Sequence, residues 1–427
     1  MTIKRKGFGP LMSASSIVAM AFSITVAAPV SAQELSVWKY GSPASEREYF
    51  SRINDGFPAG SVTWEPGDWE SRTQELATAT IAGNLPDVLA IDNTVLGSAI
   101  ETGAIVPLSA VAPELIETWR ANYPDELWSL GEYDGESYGM TTFVDLSPVI
   151  IYNGDMFEEA GVTAPTTWSE LVEVAAQLTT PGRAGIVFAA SATTLDADII
   201  GSLLPLNGGR WLDDDGNAAV GGQALEDVFQ LVSDLTPYAP EGITDMNFRD
   251  ALQLFYQSRA AMVVTRSFAP IIQDDYEVGP FPSVMIRFPE PDAVSGDFPA
   301  ATFEAHAPFM FIVTSQAADV ELASAYLDYW FDPAQHFGWD GSEVKGRVPA
   351  AINMLNSDGF RNQYPALADE WEAGTLFQNV VSVPSFPQYA AVRRTLTEAI
   401  QGVVLEVTSP AEAAQMVEAA TLSAMSR

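Results

Sequence analysis

The chain has 427 residues, 56 of them acidic and 20 basic, for a formal charge of −36, and it contains no cysteine. An acidic surplus of this size repels nucleic acid and anionic lipid, whose partners need clustered Lys or Arg, and the missing thiols exclude disulfides, thiolate nucleophiles and cysteine metal sites. A 47 % hydrophobic content with ten tryptophans excludes disorder, and the length predicts two domains rather than one core.

Residues 1–32 read as a secretory leader. Lys4, Arg5 and Lys6 form a basic head, Leu11 to Ala28 an apolar stretch, and Val30-Ser31-Ala32 a small-residue cleavage site. The mature chain is expected to begin at Gln33 and, with no cysteine to carry a lipid, to be periplasmic without a lipid anchor. No later run reaches the roughly 18 uninterrupted apolar residues of a membrane helix.

Beyond the leader, short apolar runs alternate with amphipathic stretches, the pattern of an α/β protein. In chain order the strands are expected at Leu35 to Tyr40, Asp87 to Asp92, Val149 to Asn153, Gly185 to Ala190, Ala260 to Thr265 and Phe309 to Thr314. Apolar residues spaced three and four apart predict helices over Ser45 to Phe57, Trp69 to Ala82, Trp168 to Leu178, Gln223 to Leu235 and Asp319 to Phe331. Thr167-Trp168-Ser169-Glu170 and Ser409-Pro410-Ala411-Glu412 both fit a capping box, the second with proline at the first helical position. The run Asp213-Asp214-Asp215-Gly216-Asn217 fails as a calcium loop, because Trp211 occupies the first ligand position; it reads instead as an Asp-Gly turn between short strands.

Reaction chemistry is poorly signed. The two histidines, His306 and His336, lie thirty residues apart, so neither a helical metal pair nor a histidine cluster is available. No nucleophile elbow, phosphate loop or dinucleotide-binding glycine motif occurs. Glycoside hydrolysis needs only two carboxylates, but 56 acids make any chosen pair uninformative. No cofactor and no metal are expected.

One segment is more specific. Tyr138-Gly139-Met140-Thr141, Val149-Ile150-Ile151-Tyr152-Asn153-Gly154-Asp155-Met156-Phe157, Ala160-Gly161, Pro165, Thr167-Trp168-Ser169-Glu170-Leu171 and Gly185 follow one another in order. This string resembles the extracellular solute-binding proteins of the sugar-specific class that includes maltose-binding protein. Gly83 to Val88, Phe255 to Val264 and Gly346 to Ala350 resemble further elements of that family, so the likeness covers nearly the whole mature chain. Ser258-Arg259 stands where the family usually has Gly-Lys, and Thr141 where proline is common.

The resemblance implies a two-lobed periplasmic binding protein fold of type II, with a ligand cleft between lobes joined by crossing hinge segments. The lobes are expected to comprise residues 33–144 with 308–347, and 145–307 with 348–427. It further implies a monomeric, non-enzymatic receptor that closes around a mono- or oligosaccharide, or a sugar derivative or polyol, and delivers it to the permease of an ABC importer. A glycan-active hydrolase and a receptor for a non-sugar anionic solute stand as alternatives.

Sugar recognition needs flat rings against C–H faces and polar groups for hydroxyls. Loops after strands offer candidates: Tyr40 and Ser42, Asp68 and Trp69, Asp92 and Asn93, Phe143 and Asp145, Trp211, Arg266 and Phe268. The family likeness adds Phe386 and Tyr389. Arg266 and Arg347 raise the anionic-ligand reading, since a cleft arginine can hold a carboxylate or phosphate bidentately.

Overall fold

The computed structural model describes residues 34–41, 44–69, 71–213, 215–276, 282–332, 335, 346–384, 386 and 388–426. The expected leader, Ser42 and His336 lie outside the described residues. The first sheet takes its order from burial. Among β1 (Glu34–Tyr40), β2 (Ser61–Gly67), β3 (Val88–Ile91), β6 (Gly139–Thr141) and β13 (Met310–Val313), the spatial order is β2-β1-β3-β13-β6. β3 and β13 are uninterrupted apolar runs buried along their whole length, as strands covered on both faces must be. β2 carries Pro66 and has no fully buried residue, which suits an edge.

β1 runs parallel to both β2 and β3, with Tyr40 opposite Gly67 and Val37 opposite Val88. The chain passes from β1 to β2 on one side and then returns past β1 to β3 on the other, and where the order reverses in such a sheet the crevice lies beyond the carboxyl ends of the strands. The expected helix at Trp69 to Ala82 begins only at Arg72. Trp69 stays in the preceding turn and lies on Gly41, where a Cβ would sit 2.9 Å from the indole and φ is +63°.

The second sheet has the order β11-β8-β10-β9, built from β8 (Val149–Asn153), β9 (Ala184–Val187), β10 (Ala260–Thr265) and β11 (Ser283–Arg287). Helices Trp168–Leu178, Gly222–Leu235, Tyr389–Val404 and Pro410–Met425 cover it. Their apolar faces, among them Leu171, Val228, Phe229, Leu396 and Val417, form a core distinct from the one around the first sheet. The Ser409–Glu412 capping box is complete. At Thr167 only half of the expected box forms: Thr167 accepts from the Glu170 N–H, but the Glu170 carboxylate reaches one residue further back to Thr166. The Asp213 carboxylate accepts from the N–H groups of Asp215 and Asn217, and Leu212 pairs with Ala218 across the turn.

A small third sheet, β14-β7-β12-β15, joins the two. It contains β7 (Phe143–Ser147), β12 (Glu304–His306), β14 (Val348–Pro349) and β15 (Val381–Ser382). β7 follows β6 of the first sheet and leads directly into β8 of the second, while β12 leads into β13 of the first. β7 and β12 are antiparallel, with Glu304 opposite Ser147 and His306 opposite Asp145. Two α/β bodies are thus tied by short paired strands, with no flexible tether among the described residues.

Candidate functional site

Side chains on a strand alternate, so Glu304 and His306 of β12 share one face. Around them the candidate residues fall into two groups. His306 lies between two buried carboxylates, 3.7 Å from Asp92 and 3.6 Å from Asp145. Asp92 sits at the carboxyl end of β3, where it accepts from the Thr94 N–H and pairs with Arg72 at 2.5 Å. The Arg72 guanidinium also lies 4.2 Å over the Trp69 ring, which meets His306 edge-on. Asp145 is held by both carboxylate oxygens to Arg347, whose Nε donates to Glu46 at 2.8 Å; Lys39 then pairs with Glu46 at 3.3 Å.

The result is a largely buried file in which acidic and basic side chains alternate: Arg72, Asp92, His306, Asp145, Arg347, Glu46 and Lys39. Burial works to raise the Asp92 carboxyl, but His306 and Arg72 overcome it and hold the group well below the carboxylate range. Asp145 is likewise lowered against its burial, by Arg347 and His306. Burial pulls the Lys39 ammonium down to about 8, despite the opposing charge of Glu46. Arg347 is thus engaged by two carboxylates, through Nε and one terminal nitrogen.

The second group surrounds Glu304 and opens to a cleft of about 380 Å³, within the usual range for small-molecule sites. Gly97, Glu101 and Tyr133 line one side, Pro205, Arg210, Trp211 and Leu212 another, and Glu304, Val381, Ser382, Pro384 and Phe386 the remainder. Trp211 meets the Tyr389 ring edge-on at 5.4 Å, and Phe386 does the same from its own side at 5.4 Å. The Tyr389 hydroxyl donates to Asp198 at 3.0 Å, and Asp198 pairs with Arg393 at 2.9 Å. Burial raises both the Asp198 carboxyl and the Tyr389 hydroxyl.

Polar capacity is left unused here. Glu304 Oε1, Trp211 Nε1 and Arg266 Nε have no hydrogen-bond partner, although their residues are 1 %, 7 % and 4 % exposed. The closest approach of Arg266 to Glu304 is 4.0 Å. Burial, reinforced by the charge of Asp198, pushes the Glu304 carboxyl up to about 8 even with Arg266 and Arg393 nearby. Unmet buried groups are costly, and two of them, Glu304 Oε1 and Trp211 Nε1, belong to residues that line this cleft.

Of the sequence candidates, Trp211 and Phe386 line the cleft, with Tyr389 behind them. Arg266 approaches Glu304. Asp92, Asp145, Arg347 and Trp69 belong to the charged file. Asn93 is buried, accepting from the Ala307 N–H and donating to the cleft residue Ser382 at 2.9 Å. Phe268 stacks edge-on with Phe248 and lies 5.3 Å from the Arg347 guanidinium. Two candidates go elsewhere: Phe143 is wholly buried against Tyr49, and the Tyr40 ring is buried over Gly67. Asp68 is exposed at the turn before Ser71. Sequence reasoning passed over Glu304, Asp198, Arg210, Glu46 and Lys39, and it weighed His306 as a metal ligand; no motif surrounds any of them. Among the described residues no group of three or more His, Asp or Glu side chains could hold a metal ion, and no helix is long and apolar enough to cross a membrane.

Two α/β bodies on crossing strands, with a cleft lined from several chain segments, define the two-lobed fold of solute-binding proteins. The chain belongs to the bacterial extracellular solute-binding protein family, whose model matches residues 41–336. A probable sugar-binding periplasmic protein of Brucella melitensis is 25 % identical over 381 residues, 85 % of each chain. A mannitol-binding protein of Pseudomonas aeruginosa is 31 % identical over 141 residues, and the chain spans about a third of the length of this and one other curated relative. A cyclic α-maltosyl-1,6-maltose binding protein from Arthrobacter globiformis shares the fold with a TM-score of 0.74 at 19 % identity, over 92 % of this chain and 99 % of that one.

Proposed function

We propose that this protein is the substrate receptor of an ABC importer, that its ligand is a carbohydrate or polyol held in the cleft around Trp211, Phe386 and Glu304, and that it captures the ligand without reacting with it. The observation that carries this reading is the pairing of aromatic side chains, Trp211 and Phe386, with unmet buried polar atoms, Glu304 Oε1 and Trp211 Nε1, in one cleft. Rings cover the C–H face of a sugar, and the unpaired groups meet its hydroxyls. The printed functions of the Brucella, Pseudomonas and Arthrobacter relatives agree with such a ligand.

The lobes divide at 144/145, 307/308 and 347/348, and β7 and β12, which cross between the two large sheets, act as hinges when the lobes close. The receptor works as a periplasmic monomer, freed of its leader and without a lipid anchor. The absence of cysteine supports the last point.

The test is thermal unfolding of the purified protein against neutral sugars, polyols and their acids, with each ligand afterwards recovered and checked for breakdown. A ligand at about a hundred times its Kd contributes about 2.7 kcal/mol. For a chain of this length that raises Tm by roughly 3 °C. A shift with an intact saccharide is expected; conversion of the sugar would replace the receptor by a hydrolase, and a shift with non-sugar anions alone would remove the carbohydrate assignment.

A further inference from the structure

Among the described residues the charged side chains that line the cleft are the acids Glu101 and Glu304 and the cation Arg210, which donates to the carbonyls of Gly209 and Pro299. The two arginines behind Glu304 are unequal: Arg393 is bound to Asp198 and stacked on Tyr389 at 4.7 Å, whereas Arg266 stays 4.0 Å from Glu304. Glu304 itself comes from a hinge strand, is almost fully buried, lines the cleft and keeps Oε1 unpartnered. We propose that Glu304 is the specificity-determining group of the cleft: it binds one hydroxyl of an uncharged sugar or polyol and turns away the matching sugar acid.

The inference rests on the carbohydrate reading above and narrows it. A ligand hydroxyl can both donate and accept, so it satisfies the carboxyl whichever oxygen carries the proton. A ligand carboxylate cannot. It would bring a second acid against Glu304 and Asp198, in surroundings where burial already pushes the Glu304 carboxyl up to about 8 in spite of Arg266 and Arg393. The groups that act on Glu304 from packed elements are thus Asp198, Arg266 and Arg393, with Tyr389 hydrogen-bonded to Asp198. A site whose burial disfavours its own carboxylate is a poor host for another.

The experiment is calorimetric titration at pH 7 with matched pairs: mannitol and mannonate, glucose and glucuronate, maltose and maltobionate. It is run on the wild type, Glu304→Gln and Glu304→Leu. The neutral member of one pair is expected to bind, and its acid to bind about 100-fold more weakly or not at all. Gln keeps both a donor and an acceptor, so Glu304→Gln should stay within a few-fold of wild type, while Glu304→Leu should lose about 10- to 100-fold. Unfolding of the unliganded variants checks that Glu304→Leu is folded. Should it be unfolded, Glu304→Ala takes its place. An acid that binds more tightly than its neutral partner, or a folded Glu304→Leu that binds as wild type does, overturns the inference while leaving the carbohydrate reading intact. If no member of any pair binds, both fall together.

Discussion

Replacing Arg347 by methionine keeps an apolar stem of similar length but deletes the charge that two buried carboxylates share. Asp145 and Glu46 are 2 % and 0 % exposed, and Arg347 bonds to both. Breaking a buried pair by removing one partner costs about 3–5 kcal/mol, because the remaining charge has neither water nor counter-ion. With an unfolding entropy near 0.8 kcal/mol/K for a chain of this length, Tm should fall by about 4–6 °C at pH 7. The pH dependence supplies the sign. Asp145 is held below its ordinary value in the folded protein, so its contribution is present above the unfolded value and is lost as pH falls through the folded one. The substitution removes that depression, and the gap between wild type and variant should therefore narrow as pH falls below about 4. Adding Asp145→Leu should recover part of the loss, leaving Glu46 with Lys39. Scanning calorimetry at several pH values measures all three quantities. Equal melting at pH 7, or a gap that widens on acidification, would refute the reasoning.

Glu304→Gln should show the opposite trend. Burial holds the Glu304 carboxyl at about 8, above its ordinary 4.5; an acid raised on folding loses stability as pH climbs between those values, so in unliganded samples the variant's advantage should grow over that interval. Trp211→Ala should weaken ligand binding by at least about 30-fold in calorimetric titration, as a hot-spot aromatic does. Phe143→Ala should instead cost about 3–5 kcal/mol of stability in urea unfolding, with the ligand Kd of the folded fraction unchanged. Ser258 adopts a φ of +60°, so Ser258→Gly should raise stability by about 0.5–1 kcal/mol in the same assay.

What could be read in one dimension was local. The helix Trp168–Leu178 appears with its expected bounds because its start is signed by Thr167 and its apolar residues recur along one face. Strand Ala260–Thr265 appears because six consecutive small or apolar residues suit a strand covered on both sides. Asp92 and Asn93 could be placed near the crevice because a strand's carboxyl end is a position along the chain. Trp211 and Phe386 could be named as aromatic candidates for the same local reason, and the Tyr138 to Gly185 string carried the family. Tertiary structure decided the rest. Arg347 and Glu46 are 301 residues apart, and Asp92 and Asp145 become neighbours only because His306, from a third segment, stands between them. Glu304 looks like any of the other acids until β12 carries it between the two bodies, strips away its water and leaves an oxygen unpaired. Burial and partnership belong to the folded chain, because desolvation and hydrogen bonding depend on which distant segments close over a side chain.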